Sequence, residues 1–240
     1  MRKTEDLLGL LIKTGAGSRR KIAAAIMQGR VTVNGVEATN LRQPVDSRSD
    51  DIVLDGTAVN PRKEKHIYLV LNKPPGVLST VNDDRGRKTV MDFVPEKYRR
   101  YRLYPAGRLD KDTTGLLLLT NDGDMTSRLT HPRYRHEKEY HVILDRELTV
   151  DEIKKLEQGI ELYDGTTAPA KVSKITGKVR FGYSLVIHEG RKRQVRRMFS
   201  ALGCGVLTLK RVRLGKMNLG NLKEGEVREI PQREAGKLLT

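Results

Sequence analysis

Residues 104–115 read Tyr-Pro-Ala-Gly-Arg-Leu-Asp-Lys-Asp-Thr-Thr-Gly and run directly into four leucines at positions 116–119. A short apolar run bounded by turn residues is typical of a strand buried on both faces, although leucine alone would also suit a helix. A loop leading into such a strand hangs from the most rigid part of its domain, where a reactive group can be held still. We therefore predict that this stretch organises the fold around it.

Two charged side chains of this loop have alternative interpretations. Asp110 follows Arg108 by two positions, so both side chains point to the same side of an extended segment. A carboxylate beside a guanidinium stays ionised at neutral pH and, when held rigidly, can act as a nucleophile. The alternative is a structural ion pair within a turn, and the spacing by itself favours that alternative.

The charge of the chain points to a polyanionic partner. Lys and Arg number 46 against 30 Asp and Glu, for a net charge of +16, which is typical of nucleic-acid binding. Aromatic residues are only 5%, with no Trp, so a duplex or folded RNA fits better than a stacked single strand. No apolar run reaches the roughly 18 residues of a membrane span, and no signal segment opens the chain, so we expect a cytoplasmic protein.

The first 60 residues predict a small module of two helices and a sheet. Ser18 can cap the second helix, whose first turn carries three cations that oppose the helix dipole: Arg19, Arg20 and Lys21. Cations at that place are useful if an anion docks there, and the alternative is a solvated basic cluster. Asn34-Gly35 between alternating residues predicts a hairpin.

A second basic segment lies near the C-terminus. No acidic residue interrupts the cations between Glu189 and Glu224: Arg191, Lys192, Arg193, Arg196, Arg197, Lys210, Arg211, Arg213, Lys216 and Lys223. In the predicted helix the apolar residues from Val195 to Leu202 take the core spacing, and the arginines take the other face. Because a merely solvated helix face usually mixes signs, we predict a groove for a polyanion.

Patterns of several other chemistries are absent. The sequence has neither a phosphate-binding Gly-rich loop ending in Lys nor a dinucleotide fingerprint. Its histidines at 131, 136 and 141 lack partner carboxylates at ligand spacing, and Cys204 is the single cysteine, so we predict no metal site. The turn Asn72-Lys73-Pro74-Pro75-Gly76 is predicted to expose its lysine.

Two parts of the chain resemble known families. Residues 17–21 (GSRRK) and 29–35 (GRVTVNG) resemble the alpha-L RNA-binding domain of small-subunit ribosomal protein four, which implies RNA contacts by Arg19, Arg20, Lys21 and Arg30. Residues 107–123 resemble the active-site motif of pseudouridine synthases, residues 138–140 (KEY) their second motif and residues 189–198 their third. With the alpha-L domain in front, the combination resembles the ribosomal RsuA/RluB group.

The resemblance implies roles for individual residues. Asp110 would start the isomerisation of uridine to pseudouridine, by attacking the ribose or the base or by removing a ribose proton. Arg196 would pair with Asp110 and keep it ionised, and Tyr140 would stack on the flipped uracil; without the motif, Tyr140 reads equally as a core aromatic. Arg108 would fill the gap left by the flipped nucleotide. Leu214 would pack under the base. The remaining predicted RNA contacts come from the basic segment itself and are Arg193, Arg197, Lys210 and Arg211.

These patterns and resemblances together define the expected protein. We predict an α+β fold with an alpha-L RNA-binding domain at 1–62, a charged linker at 61–65 and a synthase domain with a mixed, mainly antiparallel sheet at 66–240. The implied reaction needs no metal, redox cofactor or second substrate, and the implied partner is ribosomal RNA, for which a monomer suffices. The large-subunit (23S) RNA is the preferred target; the alternatives are small-subunit (16S) RNA and a non-enzymatic ribosome-assembly factor.

Overall fold

The computed structural model describes residues 4–60, 64–177 and 181–239. Its contacts divide the chain into two compact units, Met1–His66 and Ile67–Thr240. The predicted linker includes residues 61–63, which lie outside the described residues, and the predicted domain limits at 62 and 66 stay a prediction. No helix of the described residues is long and apolar enough to cross a membrane.

The first unit contains two helices and short strands. In chain order these are β1 (Glu5–Asp6), α1 (Leu7–Lys13), α2 (Arg19–Met27), β2 (Val31–Val33), β3 (Val36–Glu37), β4 (Pro44–Val45), β5 (Ile52–Leu54) and β6 (Thr57–Ala58). The Ser18 hydroxyl accepts a hydrogen bond from the Lys21 amide at 3.2 Å, which confirms the predicted cap of α2. The predicted hairpin is also confirmed, because β2 pairs with β3 and Asn34 and Gly35 at its turn both have positive φ.

The second unit is built on a large sheet. Its elements are β7 (Tyr68–Lys73), β8 (Tyr104–Pro105), β9 (Thr114–Thr120), α3 (Gly123–Thr130), β10 (Lys138–Leu144), α4 (Val150–Gln158), β11 (Lys171–Lys174), β12 (Gly182–Ile187), α5 (Gln194–Ala201), β13 (Val206–Leu214), β14 (Met217–Asn218), β15 (Val227–Glu229) and α6 (Gln232–Ala235). The strand order is β11-β12-β10-β13-β9-β7-β15, with β8 on β9 and β14 on β13. Of these pairs only β9–β13 is parallel, which confirms a mixed, mainly antiparallel α+β fold.

The leucine run is the centre of this sheet. Residues 116–119 lie within β9 and have no exposed surface, so the strand interpretation is correct and the helix alternative is wrong. Leu117 and Leu119 belong to the core on one face, and Leu116 and Leu118 to the core on the other. Because side chains of a strand alternate between faces, both cores hold β9 and thereby fix the loop that precedes it.

Gly115 sets how closely β9 and β13 approach. Its φ is +106°, and a Cβ there would lie 2.2 Å from the carbonyl oxygen of Arg211, its partner in the parallel pairing. A side chain at this position would collide with backbone that cannot move aside. Glycine therefore allows Arg211 to lie beside the end of the loop.

Candidate active site

Six of the nine predicted functional residues of the second unit meet at one cavity of about 910 Å³. Its walls come from the loop before β9, the start of β10, the segment before α5, and β13. Six predicted residues line it: Arg108, Asp110, Tyr140, Arg193, Arg211 and Leu214. Arg196, Arg197 and Lys210 do not, and the remaining predicted RNA contacts, Arg19, Arg20, Lys21 and Arg30, belong to the first unit.

The loop that carries Asp110 is fixed through its backbone. Ser79 donates from its hydroxyl to the Leu109 carbonyl at 2.9 Å and accepts from the Leu109 amide at 3.1 Å. The Thr113 amide donates to the Asp110 carbonyl at 3.0 Å, closing a turn directly after the carboxylate. Because hydrogen bonds hold the backbone on both sides of Asp110, its side chain lines the cavity from a defined position.

Lys73 holds the same loop, and the prediction that it is exposed was wrong. It is completely buried, and its ammonium donates to the carbonyls of Pro74 at 2.9 Å, Lys111 at 3.0 Å and Thr113 at 2.8 Å. These bonds use all three of its donors. Burial lowers the pKa of Lys73 to about 8, against the opposing attraction of the Asp112 and Asp110 carboxylates. The turn residues after Lys73 concealed that it is the last residue of a buried strand.

The implied ion pair between Arg196 and Asp110 is not formed in the described structure. The Arg196 guanidinium donates instead to the Val206 carbonyl at 3.1 Å and to the Asp112 carbonyl at 3.2 Å. Arg108 is exposed and forms no ion pair with Asp110 either, among the residues described. Arg196 therefore ties the loop to β13 through backbone carbonyls, and the carboxylate is left without an arginine partner.

The second basic segment is less free than its sequence indicated. Asp164, which lies 27 positions before Arg191, accepts from Arg197 at 2.8 and 3.0 Å. Hydrogen bonds from Arg197 lower the pKa of Asp164. Arg191 donates to the Gly165 and Thr166 carbonyls, both at 2.7 Å. The sequence indicated an unbroken basic face because the carboxylate comes from a distant segment. Arg197 is thus paired within the protein, and its contact with RNA stays a prediction.

Tyr140 and Arg211 lie side by side on two adjacent strands. They are register partners in the β10–β13 pairing and are 8% and 4% exposed, respectively. Lys138 is the partner of Leu214 in the same pairing, and an irregularity in the register lies between Glu139 and Tyr140. An aromatic ring, an apolar residue and two cations thus surround one end of the cavity. Sequence reasoning did not assign a role to Lys138, which it noted only as part of a motif. Its position at the start of a predicted strand was the one indication that its side chain could be partly buried.

Three carboxylates line the cavity, and they differ in how they are engaged. Asp83 accepts from Arg87 and from the amides at 85 and 87. Glu189 accepts from the Ala168 amide at 2.9 Å and pairs with Arg191 at 3.3 Å. The Asp110 carboxylate has no hydrogen bond or ion pair to any described side chain or backbone amide. It is therefore the carboxylate available for nucleophilic attack or proton transfer.

The described part of the chain contains no cluster of side chains suited to a metal ion. Over residues 4–60, 64–177 and 181–239, no three His, Cys, Asp or Glu side chains are grouped so that they could hold an ion.

Comparison with known proteins gives consistent matches over the whole length. The RNA pseudouridylate synthase family profile matches residues 67–201, and the S4 domain profile matches residues 10–52. The chain is 43% identical to ribosomal large subunit pseudouridine synthase B of Bacillus subtilis (strain 168), covering 98% of this chain and 95% of that protein. It is 37% identical to an uncharacterized RNA pseudouridine synthase of Aquifex aeolicus (strain VF5), covering 95% and 91%. A crystal structure of a pseudouridylate synthase, 34% identical, covers 98% of this chain and 99% of its own, with a TM-score of 0.69.

Proposed function

This chain belongs to the RNA pseudouridylate synthase family, and from that premise we propose that it converts a specific uridine of large-subunit ribosomal RNA to pseudouridine. The enzyme class follows from the family. The choice of RNA is supported by the similarity to a large-subunit synthase over 98% of the chain, and by the S4 domain at residues 10–52.

The observation that carries the proposed mechanism is the unengaged carboxylate of Asp110. Conversion of uridine to pseudouridine breaks the bond from C1′ to N1 and forms one from C1′ to C5, so atoms are rearranged and none are added. Glycoside hydrolysis ordinarily uses two carboxylates, one of which activates water. An isomerisation must exclude water, and a single carboxylate suffices. Asp110 starts the reaction by attacking the ribose or the base, or by removing a ribose proton.

The surroundings of Asp110 suit a flipped uridine. A base inside a helix must leave its stack before its glycosidic bond is accessible. Arg108 is exposed at the cavity and can fill the vacated position, while Tyr140 and Leu214 offer an aromatic and an apolar surface to the uracil. Arg196 acts in this proposal through the loop backbone, because it holds the Asp112 carbonyl.

The first unit supplies affinity in this proposal. Arg19, Arg20 and Lys21 are exposed at the start of α2. Cations and free backbone amides at a helix N-terminus attract phosphate groups. RNA contacts of this kind read shape and backbone charge, so the identity of the modified uridine depends on what the cavity accepts.

The test uses an Asp110→Asn variant and the matched control Asp112→Asn, which changes an exposed carboxylate of the same loop. We expect Asp110→Asn to bind RNA normally and to form no pseudouridine, whereas the control remains active. Carbodiimide mapping of both ribosomal RNAs from a deletion strain, before and after treatment with each protein, is the measurement. Pseudouridine formation by Asp110→Asn would overturn the mechanism. A wild-type protein that modifies only the small-subunit RNA would overturn the target, and one that modifies neither would support an assembly factor.

A further inference from the structure

Two of the cations that line the cavity are removed from solvent and form no ion pair among the described residues. Lys138 and Arg211 both line it; Lys138 is half-buried and Arg211 is only 4% exposed. Neither forms an ion pair with any carboxylate of the described residues. Arg213, two positions further along β13, shows the usual alternative, since it pairs with Glu139 at 2.8 Å and Glu137 at 3.2 Å.

The hydrogen bonds of Arg211 are incomplete, and those of Lys138 are long. Arg211 donates from Nε to the Leu116 carbonyl at 2.8 Å, while its buried Nη2 has no partner among the described residues. The Lys138 ammonium lies 3.3–3.4 Å from the carbonyls of His136, His188 and Glu189, which makes three long hydrogen bonds. Burial and the charge of Arg211 lower the pKa of Lys138 to about 8, against the weaker opposing attraction of the Glu189 carboxylate. The two cations are therefore close enough to repel each other.

A buried charge without a partner destabilises the fold, so this arrangement is expected where an anion is bound. The exposed cations at the cavity, such as Lys192 and Arg193, can bind phosphate groups of the RNA more easily than the buried Arg211 can. Arg211 is instead the register partner of Tyr140, and Lys138 that of Leu214. Lys138 and Arg211 thus lie beside the two residues that, in the proposed function, contact the uracil.

The uracil becomes anionic during the reaction. When the bond from C1′ to N1 breaks, both electrons go to the base and spread over N1, C5, O2 and O4; if Asp110 instead adds to C6 of the base, the pair moves to C5 and O4. The pair at C5 then forms the new bond to C1′, the C5 proton leaves, and a proton is returned to N1. Asp110 is restored in each case: its carboxylate leaves C1′ as C5 attacks, or leaves C6 as the C5 proton is lost, or returns its proton to the ribose. Nothing outside the nucleotide and the enzyme is consumed.

We propose that Arg211 is a further catalytic residue, which stabilises this uracil anion by a charged hydrogen bond from its unpartnered guanidinium edge, with Lys138 adding its charge. The inference rests on the proposed function and adds to it the group that stabilises the negative charge developing on the uracil. Fixed donors aimed at developing charge in a dry site act without reorganisation, and removing one commonly slows a reaction by about 10²–10³-fold.

The experiment measures the single-turnover rate at which the bond from C1′ to C5 forms, on a ribosomal RNA fragment that carries either uridine or 5-fluorouridine at the target. Bond formation is the common readout because 5-fluorouridine has no C5 proton to lose afterwards. Fluorine withdraws electrons and makes the base anion more stable without help from the protein. We expect Arg211→Gln to slow the uridine reaction by about 100-fold or more, and to slow the 5-fluorouridine reaction about tenfold less than that. RNA affinity should stay within about threefold of wild type, because no phosphate contact is removed. Lys216→Gln, which removes an exposed cation outside the cavity, is the matched control.

Two results would overturn the inference. An equal loss of rate on both bases would show that Arg211 does not stabilise charge on the uracil, and a loss explained by weaker RNA binding would place it on a phosphate. If Arg211→Gln fails to fold by circular dichroism, Lys138→Gln is measured in the same way and its rate ratio decides. A wild-type protein inactive on every ribosomal RNA would instead refute the proposed function, so the two failures are distinguishable.

Discussion

Two helices of this protein begin with clusters of cations that look alike in the sequence and differ in the structure. At the start of α2, Arg19, Arg20 and Lys21 are exposed and take part in no ion pair among the residues described. Around α5, by contrast, three of the four arginines bind the protein itself: Arg191 and Arg197 bind the loop at 164–166, and Arg196 binds two backbone carbonyls.

The difference shows that the number of cations does not reveal what they do. A cation in water can exchange its counterions for the phosphates of RNA, and it thereby contributes affinity. A guanidinium whose donors are taken by carbonyls or a carboxylate holds chain segments in place and contributes geometry. We therefore expect the cations of α2 to govern RNA binding and those around α5 to govern the reaction rate.

The largest effect is expected at Arg196. Arg196→Met removes the bonds to the Val206 and Asp112 carbonyls, which belong to β13 and to the loop that carries Asp110. A displacement of about 1 Å at a reacting group can cost roughly 100-fold in rate, so we expect kcat to fall by about that factor. RNA affinity, measured by filter binding, should not change.

Lys223→Met is the control for this experiment, since it removes an exposed cation from the same basic segment. A variant at Arg196 that keeps its kcat and loses affinity would abolish the distinction between the two helices.

A smaller effect, and one of a different kind, is expected for α2. Replacing Arg19, Arg20 and Lys21 by Gln should weaken RNA binding and reduce the slope of log affinity against log salt by roughly 0.7–0.9 for each phosphate that is no longer neutralised. The kcat at saturating RNA should stay at the wild-type value. An Arg42→Gln and Arg48→Gln pair, both exposed in the same unit, controls for general charge. An unchanged salt slope would contradict the binding role.

Asp164 tests whether the α5 arginines are structural. Asp164→Asn should lower the Tm by about 2 °C or less, because exposed ion pairs stabilise little, and RNA binding should be unchanged. The pKa of the Asp164 carboxyl is lowered by Arg197. The pair therefore stabilises the fold above the ordinary carboxyl pKa of about 4 and loses this contribution as the pH falls through the lowered value.

Melting curves at neutral pH and at acidic pH provide the measurement. The difference between wild type and Asp164→Asn should disappear on acidification. A much tighter binding of RNA by the variant would mean that the arginines had been withheld from RNA and not built into the fold.

The smallest effect is expected at Arg30. Its guanidinium already binds both carboxylate oxygens of Asp55, at 2.7 and 2.8 Å. We expect Arg30→Gln to change RNA affinity by about twofold or less, because the charge removed is already neutralised. Asp55→Asn is the companion variant. A tenfold loss for Arg30→Gln would show that phosphate displaces the carboxylate.

The sequence allowed prediction where the cause of a structure is local. The leucine strand, the Ser18 cap and the Asn34-Gly35 hairpin each follow from residues within a few positions of one another. The burial of Lys73 depends on carbonyls 38 and 40 positions away, at Lys111 and Thr113, and no local pattern reports them.

The sequence predicted which residues belong to the candidate site but not how they are bonded. Its residues were found through motifs, and six of them line the cavity, but motifs do not give hydrogen-bond partners. The expected pair of Asp110 and Arg196 failed because both terminal nitrogens of Arg196 donate to backbone carbonyls, which any sequence supplies. Asp164 escaped notice because it lies in another segment.

The position of β15 has a consequence for the order of folding. Val227–Glu229 pairs with β7, the first strand of the large sheet, and Gly225 and Leu222 bond to Asn72, which precedes Lys73. The bond from the Asn72 side chain to Leu222 joins residues 150 positions apart. Contacts so far apart in sequence form only after the intervening chain has been brought together, so they are expected late in folding. The end of β7, and with it the loop that Lys73 holds, therefore depends on the collapse of the whole second unit and not on neighbouring residues alone.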